Sequence, residues 1–131
     1  MIDLVSYYYQ HPLGRSQMQS PTVFRHEGNM LCGDDITVYL LITWDHLTDW
    51  SWDGNTSMVT SAAASFLYEM IVWISLDEIL IRNDDWVVQQ WFVVSSKRKR
   101  AAVIALLATQ NAIHIYRQDG IIQMLDDLIV E

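Results

Sequence analysis

The spacing of the apolar residues changes at Gly54, and this change constrains the fold more than any other feature of the sequence. Before Gly54 the chain contains short runs of β-branched and aromatic residues, of which "DITVYLLITW" is the most typical of a strand. After Gly54 the apolar residues recur at helical spacing, so that Ala62, Phe66, Met70 and Trp73 fall on one face of a predicted helix. A sheet followed by helices predicts the α+β class.

Three segments before the change are predicted to form an antiparallel meander. They are "TVFRHEG", which ends at Gly28, then "DITVYLLITW", and then "DWSWDG", with "DHLT" as the turn before the last strand. A helix precedes them, because "IDLVSYYYQHP" has apolar residues at helical spacing until Pro12 ends the pattern.

Capping residues predict where the later helices begin. Ser57 or Thr60 is suited to cap the helix that follows Gly54. Ser75 and Glu78 have the spacing of a capping box, and Asn83 precedes two aspartates as a helix cap commonly does. We therefore expect three helices to begin at these positions.

The C-terminal part of the chain is predicted to form two helices. The long one covers residues 96–116, and Gly120 separates it from a final amphipathic helix, "IIQMLDDLIV". No repeat, low-complexity tract or linker divides the sequence, so residues 1–131 are predicted to form one domain.

Composition excludes several classes of function. The chain of 131 residues is 51% hydrophobic and 18% charged, as expected of a folded protein with a core. Its net charge of −8 argues against binding nucleic acid, which requires a positive surface. The longest apolar run, residues 101–108, is far shorter than the roughly 18 residues of a membrane span. A single cysteine and the lack of a signal-like N-terminus predict a soluble, cytoplasmic protein.

Four blocks follow one another along the chain: "YYYQHP" with Pro12, "NMLCGDDITVYLLI", "WDGNTSMVTSAAAS" and "RKRAAVI". In this order they resemble the family of iron–sulfur cluster assembly scaffolds that comprises IscU, SufU and the N-terminal domain of NifU, with Gly54, Ala62 and Ser65 in matching places. The resemblance covers about residues 5–113 and implies the SufE/NifU-like (IscU-like) fold, a three-stranded antiparallel sheet with helices packed on it. The final helix, about residues 120–130, would then be an extension.

The site of the family is degenerate in this chain. The resemblance implies a pocket formed by three cysteines and one aspartate, and it assigns the first cysteine to Cys32 and the aspartate to Asp34. Ser57 occupies the place of the second cysteine, and Ala101, or Ala102 in a register shifted by one, occupies the third. Zinc prefers four donors, and a [2Fe–2S] cluster usually takes four thiolates. We therefore expect no resident cofactor, with weak zinc or iron binding at Cys32 and Asp34, or a cluster, as poorly supported alternatives.

Two functions remain open after these departures. The first is a non-catalytic binding or regulatory protein that contacts a cysteine desulfurase or a true cluster scaffold, with Lys97, Arg98, Lys99 and Arg100 as a docking site for an acidic partner. The second is a sulfur carrier in which Cys32 accepts a persulfide.

Overall fold

A three-stranded antiparallel sheet forms one layer of the protein and helices pack on it. The computed structural model describes residues 3–29, 33–87 and 98–129. The strands are β1 (Val23–Asn29), β2 (Asp34–Thr43) and β3 (His46–Asn55). The helices are α1 (Leu4–Gln10), α2 (Met58–Ile71), α3 (Leu76–Leu80), α4 (Asp84–Val87), α5 (Lys99–Arg117) and α6 (Leu125–Leu128). The predicted α+β class is confirmed.

The sheet is the predicted meander, with the order β1-β2-β3. Ile36, Val38 and Leu40 alternate along β2 and are completely buried against the helices. The turn before β3 is shorter than predicted: Trp44 and Asp45 alone connect the strands, both with positive φ, as in the two-residue turns that suit a twisted hairpin. The prediction that all of "DHLT" forms the turn is therefore wrong.

Helix starts agree well with the capping residues. Ser57 is the N-cap of α2 and Ser75 is the N-cap of α3, with each hydroxyl oxygen accepting a bond from a backbone N–H three residues later. Asn83 Oδ1 accepts a bond from the N–H of Asp85 at the start of α4. The predicted apolar face of α2 is wrong at Trp73, because the helix ends at Ile71. Residues 88–97, including most of the predicted fourth helix and the start of the fifth, lie outside the described residues.

Helix α5 lies in the middle of the molecule. All of its residues from Ala101 to His114 are buried, because α5 packs on β1 and β2, on α2, and on the short helices α3, α4 and α6. None of the helices within the described residues is long and apolar enough to cross a membrane.

The buried polar side chains of α5 bond to the elements around it. Thr109 Oγ1 accepts a hydrogen bond of 3.0 Å from Trp50 Nε1 of β3. Gln110 Nε2 donates to the carbonyl oxygens of Ile79 and Arg82, each at 2.9 Å, at the end of α3. A buried polar group that lacks a partner is costly, so these bonds determine how α5 is oriented among its neighbours.

The segment after α5 departs from the predicted helix. Residues 121–124 are not helical, and α6 covers only Leu125–Leu128. Asn111 binds the backbone of Gln123 on both sides: its Oδ1 accepts from the N–H at 2.8 Å, and its Nδ2 donates to the C=O at 3.1 Å. The prediction of a helix over about residues 120–130 is confirmed only for α6 and is wrong for residues 121–124, where this contact with α5 replaces the helical hydrogen bonds.

His114 fixes the turn that leads into this segment. Its Nδ1 donates to Asp119 Oδ2 at 2.7 Å, and its Nε2 lies 3.2 Å from Gln123 Oε1. The bond from His114, with the backbone N–H of Ile121, lowers the pKa of the Asp119 carboxyl below its ordinary value of 3.8.

Replacement of Thr109 by valine tests the buried bond between α5 and the sheet. Thr109→Val keeps the shape of the side chain but leaves the indole N–H of Trp50 without an acceptor, so the free energy of unfolding should fall by about 1–3 kcal/mol. The exposed Thr43 is a matched control, and Thr43→Val should change the free energy of unfolding by less than about 0.5 kcal/mol. Urea unfolding followed by tryptophan fluorescence measures both, and equal losses in the two variants would contradict the role of Thr109.

The contact between His114 and Asp119 should be visible in the pH dependence of stability. A carboxyl whose pKa is lowered by folding stabilises the protein above its unfolded pKa, and this contribution is lost as pH falls through the folded pKa. Wild type should therefore be more stable than Asp119→Asn at neutral pH, and the difference should shrink as the pH falls through 3.8 and below. Urea unfolding over a pH series measures this, and a difference that stays constant down to acid pH would contradict the assignment.

Candidate functional site

Three of the residues implied as the degenerate pocket come together at one end of the fold. Asp34 is the first residue of β2, Ser57 is the N-cap of α2, and Ala101 lies in the first turn of α5. The side chain of Thr60, one turn into α2, is in contact with all three. The position of this site is therefore where the starts of β2, α2 and α5 meet.

Asp34 is buried and its carboxylate is bound by the start of α2. Only 4% of its surface is exposed. Oδ1 accepts a bond of 2.6 Å from the backbone N–H of Ser57, while Oδ2 accepts from Thr60 Oγ1 at 2.6 Å and from Ser57 Oγ at 3.3 Å. A carboxylate at a helix N-terminus is favourable because it satisfies free N–H groups and faces the positive end of the helix dipole.

Thr60 extends this contact to α5. Its hydroxyl oxygen lies 2.6 Å from Asp34 Oδ2 and 3.1 Å from the carbonyl oxygen of Ala101. The hydroxyl has a single proton to donate, and the shorter, charge-assisted bond to the carboxylate is the stronger of the two. Thr60 is therefore the residue that joins the three helix and strand ends. The sequence indicated it only as an alternative cap for α2.

The backbone before Ser57 depends on Gly54. Its φ is +144°, and a Cβ at this position would lie 2.0 Å from the carbonyl oxygen of Asp35 on β2. Only glycine fits this close approach, which lets β3 stay paired with β2 until the chain turns into α2. Gly54, one of the residues that carry the family resemblance, is therefore required by the close approach of the backbone to β2 beside Asp34.

The site offers few free donors to a metal ion. Asp34 already accepts three hydrogen bonds, Ser57 presents a neutral hydroxyl, and the side chain of Ala101 has no donor atom. Among residues 3–29, 33–87 and 98–129, no group of three or more histidine, cysteine, aspartate or glutamate side chains could hold a metal ion. Cys32 lies outside the described residues, so its predicted roles as a metal ligand and as a sulfur acceptor remain predictions.

Two members of the predicted basic docking site bind acidic residues of the same chain. Lys99 Nζ lies 3.4 Å from Asp84 Oδ2, and Asp84 is only 1% exposed. Arg100 Nη2 lies 2.6 Å from Asp126 Oδ1 of α6. Arg98 is exposed, and Lys97 lies outside the described residues. These pairs explain how cations are tolerated at the positive end of α5, because buried or nearby carboxylates offset them. The sequence did not reveal the role of Asp84.

The architecture is shared with solved structures of a NifU-like protein and of a putative cluster assembly scaffold. The N-terminal part of a nitrogen-fixing NifU-like protein from Brucella abortus superposes with a TM-score of 0.75, over 91% of this chain and 95% of that one, at 13% identity. A putative iron–sulfur cluster assembly scaffold protein for the SUF system from Fervidobacterium islandicum superposes with a TM-score of 0.71, over 86% of this chain and 96% of that one, also at 13% identity. The class is therefore the NifU-like and SufU-like fold.

The sequence itself identifies the family. The protein-family model of the NifU-like N terminal domain matches residues 3–121, and the chain belongs to this family. The iron–sulfur cluster assembly scaffold protein IscU of Thermotoga maritima is 31% identical over 65 residues, which make up 50% of this chain and 46% of that protein. The match thus spans about half the length of this relative. The predicted family and its fold are confirmed.

Replacement of Asp34 by asparagine tests whether the carboxylate holds the site together. Asp34→Asn puts an amide group against the N–H and hydroxyl donors, so the free energy of unfolding should fall by about 1–3 kcal/mol. The neighbouring Asp35 is exposed and is a matched control. Asp35→Asn should change the free energy of unfolding by less than about 0.5 kcal/mol. Chemical unfolding at neutral pH measures both, and a stable Asp34→Asn protein would show that the carboxylate is not structural.

Proposed function

We propose that this protein is a non-catalytic binding protein of iron–sulfur cluster assembly that does not hold a cluster by itself. Membership of the NifU-like N terminal domain family supports a role in iron–sulfur cluster assembly. A relative named as an iron–sulfur cluster assembly scaffold protein supports the same role. The cluster is then the cargo of its partners. The proposal depends on the state of Asp34 and on the residues around it.

The bound state of Asp34 is the observation that carries the proposal. A carboxylate that ligates a metal must direct a lone pair at it, whereas Asp34 accepts bonds from Ser57 and Thr60 and is buried. Turning the carboxylate to a metal would break these bonds and leave the backbone N–H of Ser57 and the hydroxyl of Thr60 without this acceptor. Such a change is costly, because buried donors need acceptors.

The other members of the set do not compensate for this loss. A neutral serine hydroxyl is a poor substitute for a thiolate, and alanine at position 101 provides no ligand. Cys32 is the one thiol in the chain. Two chains that share a site would supply two thiolates, which is half of what a [2Fe–2S] cluster usually takes. The donor set therefore does not fit a cluster or a structural zinc site.

A protein that keeps the scaffold fold without its ligands retains the surfaces through which partners bind. We propose a cysteine desulfurase or a cluster-holding scaffold as the partner. Arg98 is exposed at the start of α5, and Arg100 is partly exposed beside Asp126, so both are placed to meet an acidic surface. Lys99 is less suited to bind an acidic partner, because its ammonium group already pairs with Asp84.

A sulfur carrier is the alternative, and one observation favours it. Gly33 follows Cys32 directly and is exposed, and none of the other described residues comes within 4 Å of a Cβ added to it. A donor could therefore approach this part of the chain. The Cys32 thiolate would attack the outer sulfur of a donor persulfide, a new S–S bond would form at Cys32, and the donor would leave as a thiolate. Mass spectrometry after incubation with a desulfurase and cysteine would detect one added sulfur, absent from Cys32→Ser.

Anaerobic reconstitution tests the proposed function. Wild type supplied with iron and sulfide, then desalted, should retain almost no iron, zinc or labile sulfide per chain, because its donor set is incomplete. The matched variant is Ser57→Cys with Ala101→Cys, which returns thiols to the two positions beside Asp34. It should retain iron and sulfide and gain visible absorption. Metal analysis and absorption spectra measure both proteins, with circular dichroism as the check on folding.

The two proteins separate the ways in which the proposal can fail. Stoichiometric iron and sulfide in wild type, lost in Cys32→Ala, would show that it holds a cluster and would overturn the proposal. A folded double-cysteine variant that gains nothing would instead show that Ser57 and Ala101 are not the lost ligand positions.

A further inference from the structure

Two tryptophans are exposed at the end of the molecule opposite the candidate site. Trp44 is 91% exposed in the turn between β2 and β3, and Trp73 is 71% exposed between α2 and α3. Strand β2 has ten residues and begins at Asp34, so this end lies about 30 Å from the candidate site. Tryptophan is usually well buried, and exposed indoles that lie outside the core indicate a surface for binding a partner.

The two turns that carry these tryptophans are held together by backbone bonds. The N–H of Trp73 donates to the carbonyl oxygen of Leu47 at 2.6 Å, and the N–H of Leu76 donates to that of Asp45 at 3.0 Å. Both tryptophans have positive φ, 51° for Trp44 and 74° for Trp73, which bulky residues rarely adopt. The paired backbone fixes this conformation, so the indoles are presented from a rigid base.

Arg117 at the end of α5 ties both turns to the core. Its Nη1 lies 2.9 Å from Asp77 Oδ1, and its Nη2 lies 3.2 Å from Asp45 Oδ2. Asp45 belongs to the strand turn and Asp77 to the first turn of α3. One guanidinium thus joins the two acidic residues that flank the tryptophans.

The charge at this end is negative. Asp45, Asp77 and Glu78 are exposed carboxylates, and the guanidinium of Arg117 pairs with the first two. A cation that approaches would find free lone pairs on these carboxylates and the faces of the two indoles. Tryptophan is the side chain that attracts a guanidinium or ammonium group most strongly through its ring.

We propose that Trp44, Asp45, Trp73 and Asp77, the tryptophan surface, dock a basic segment of a protein partner. Tryptophan residues dominate the energy of many interfaces, and a rigid base reduces the entropy lost on binding. A second copy of this chain is a poor occupant, because each copy carries a net charge of −8 and the two would repel. The inference is independent of whether the candidate site holds a cluster.

Titration with a short peptide of alternating arginine and leucine tests the tryptophan surface in the full chain. The indole N–H resonances of Trp44 and Trp73 should shift in the nuclear magnetic resonance spectrum, while that of Trp50, buried and bonded to Thr109, should not. Trp44→Asn with Trp73→Asn should weaken binding roughly five-fold or more, and added salt should weaken it in wild type. Asparagine is chosen because it tolerates positive φ.

Phe24→Thr is the matched control, since Phe24 is another exposed aromatic residue and lies on β1. It should bind the peptide as wild type does. Equal weakening in the control, or shifts spread over many resonances, would overturn the proposal by showing non-specific attraction to an acidic protein. Light scattering that shows a dimer dependent on Trp44 would also overturn it, in favour of a second copy. If the double variant does not fold, the shifts of the Trp44 and Trp73 indole resonances in wild type still test whether the peptide binds at the tryptophan surface.

Discussion

The burial of α5 on all sides is the constraint on which the rest of the structure depends. Fourteen consecutive residues of this helix are buried, from Ala101 to His114. Apolar residues alone would let α5 rotate or slide among its neighbours, but a buried polar group must meet its own partner. Thr109 reaches the sheet, Gln110 reaches the end of α3, and Asn111 reaches the C-terminal segment. The orientation of α5 then places Ala101 beside Thr60 at one end and Arg117 beside Asp45 at the other.

The same requirement explains the candidate site. Asp34 is buried where β2, α2 and α5 begin, and a buried carboxylate needs donors. The resemblance implied a cysteine at position 57, but the donors to Asp34 in this chain are the N–H of Ser57 and the hydroxyl of Thr60. Serine at position 57 does two things that cysteine does poorly: it caps α2 and donates to the carboxylate. The serine at position 57 and the structural use of Asp34 are therefore parts of one arrangement.

Local signals predicted most of the fold, and contacts distant in sequence account for the errors. The strands followed from β-branched and aromatic runs, and the caps at Ser57 and Ser75 from side chains that act within one turn. The final helix is shorter than predicted because Asn111 binds the backbone of Gln123, which no local pattern shows. The end of α2 was misplaced because Trp73 bonds to β3 instead. At the site, the family resemblance located Asp34 and Ser57, but it could not reveal that Thr60 fills the space between them.

The separation of the two ends has a consequence for binding. Helix α5 has 19 residues, about 28 Å, and its first and last turns contribute to the candidate site and to the base of the tryptophan surface. A standard interface buries about 800 Å² on each partner, roughly a tenth of the 7397 Å² that this protein exposes. Two partners can therefore occupy the two ends without overlap. Because α5 is fixed by its buried polar contacts, the relative position of the two partners would be set by the fold, which suits the binding function proposed above.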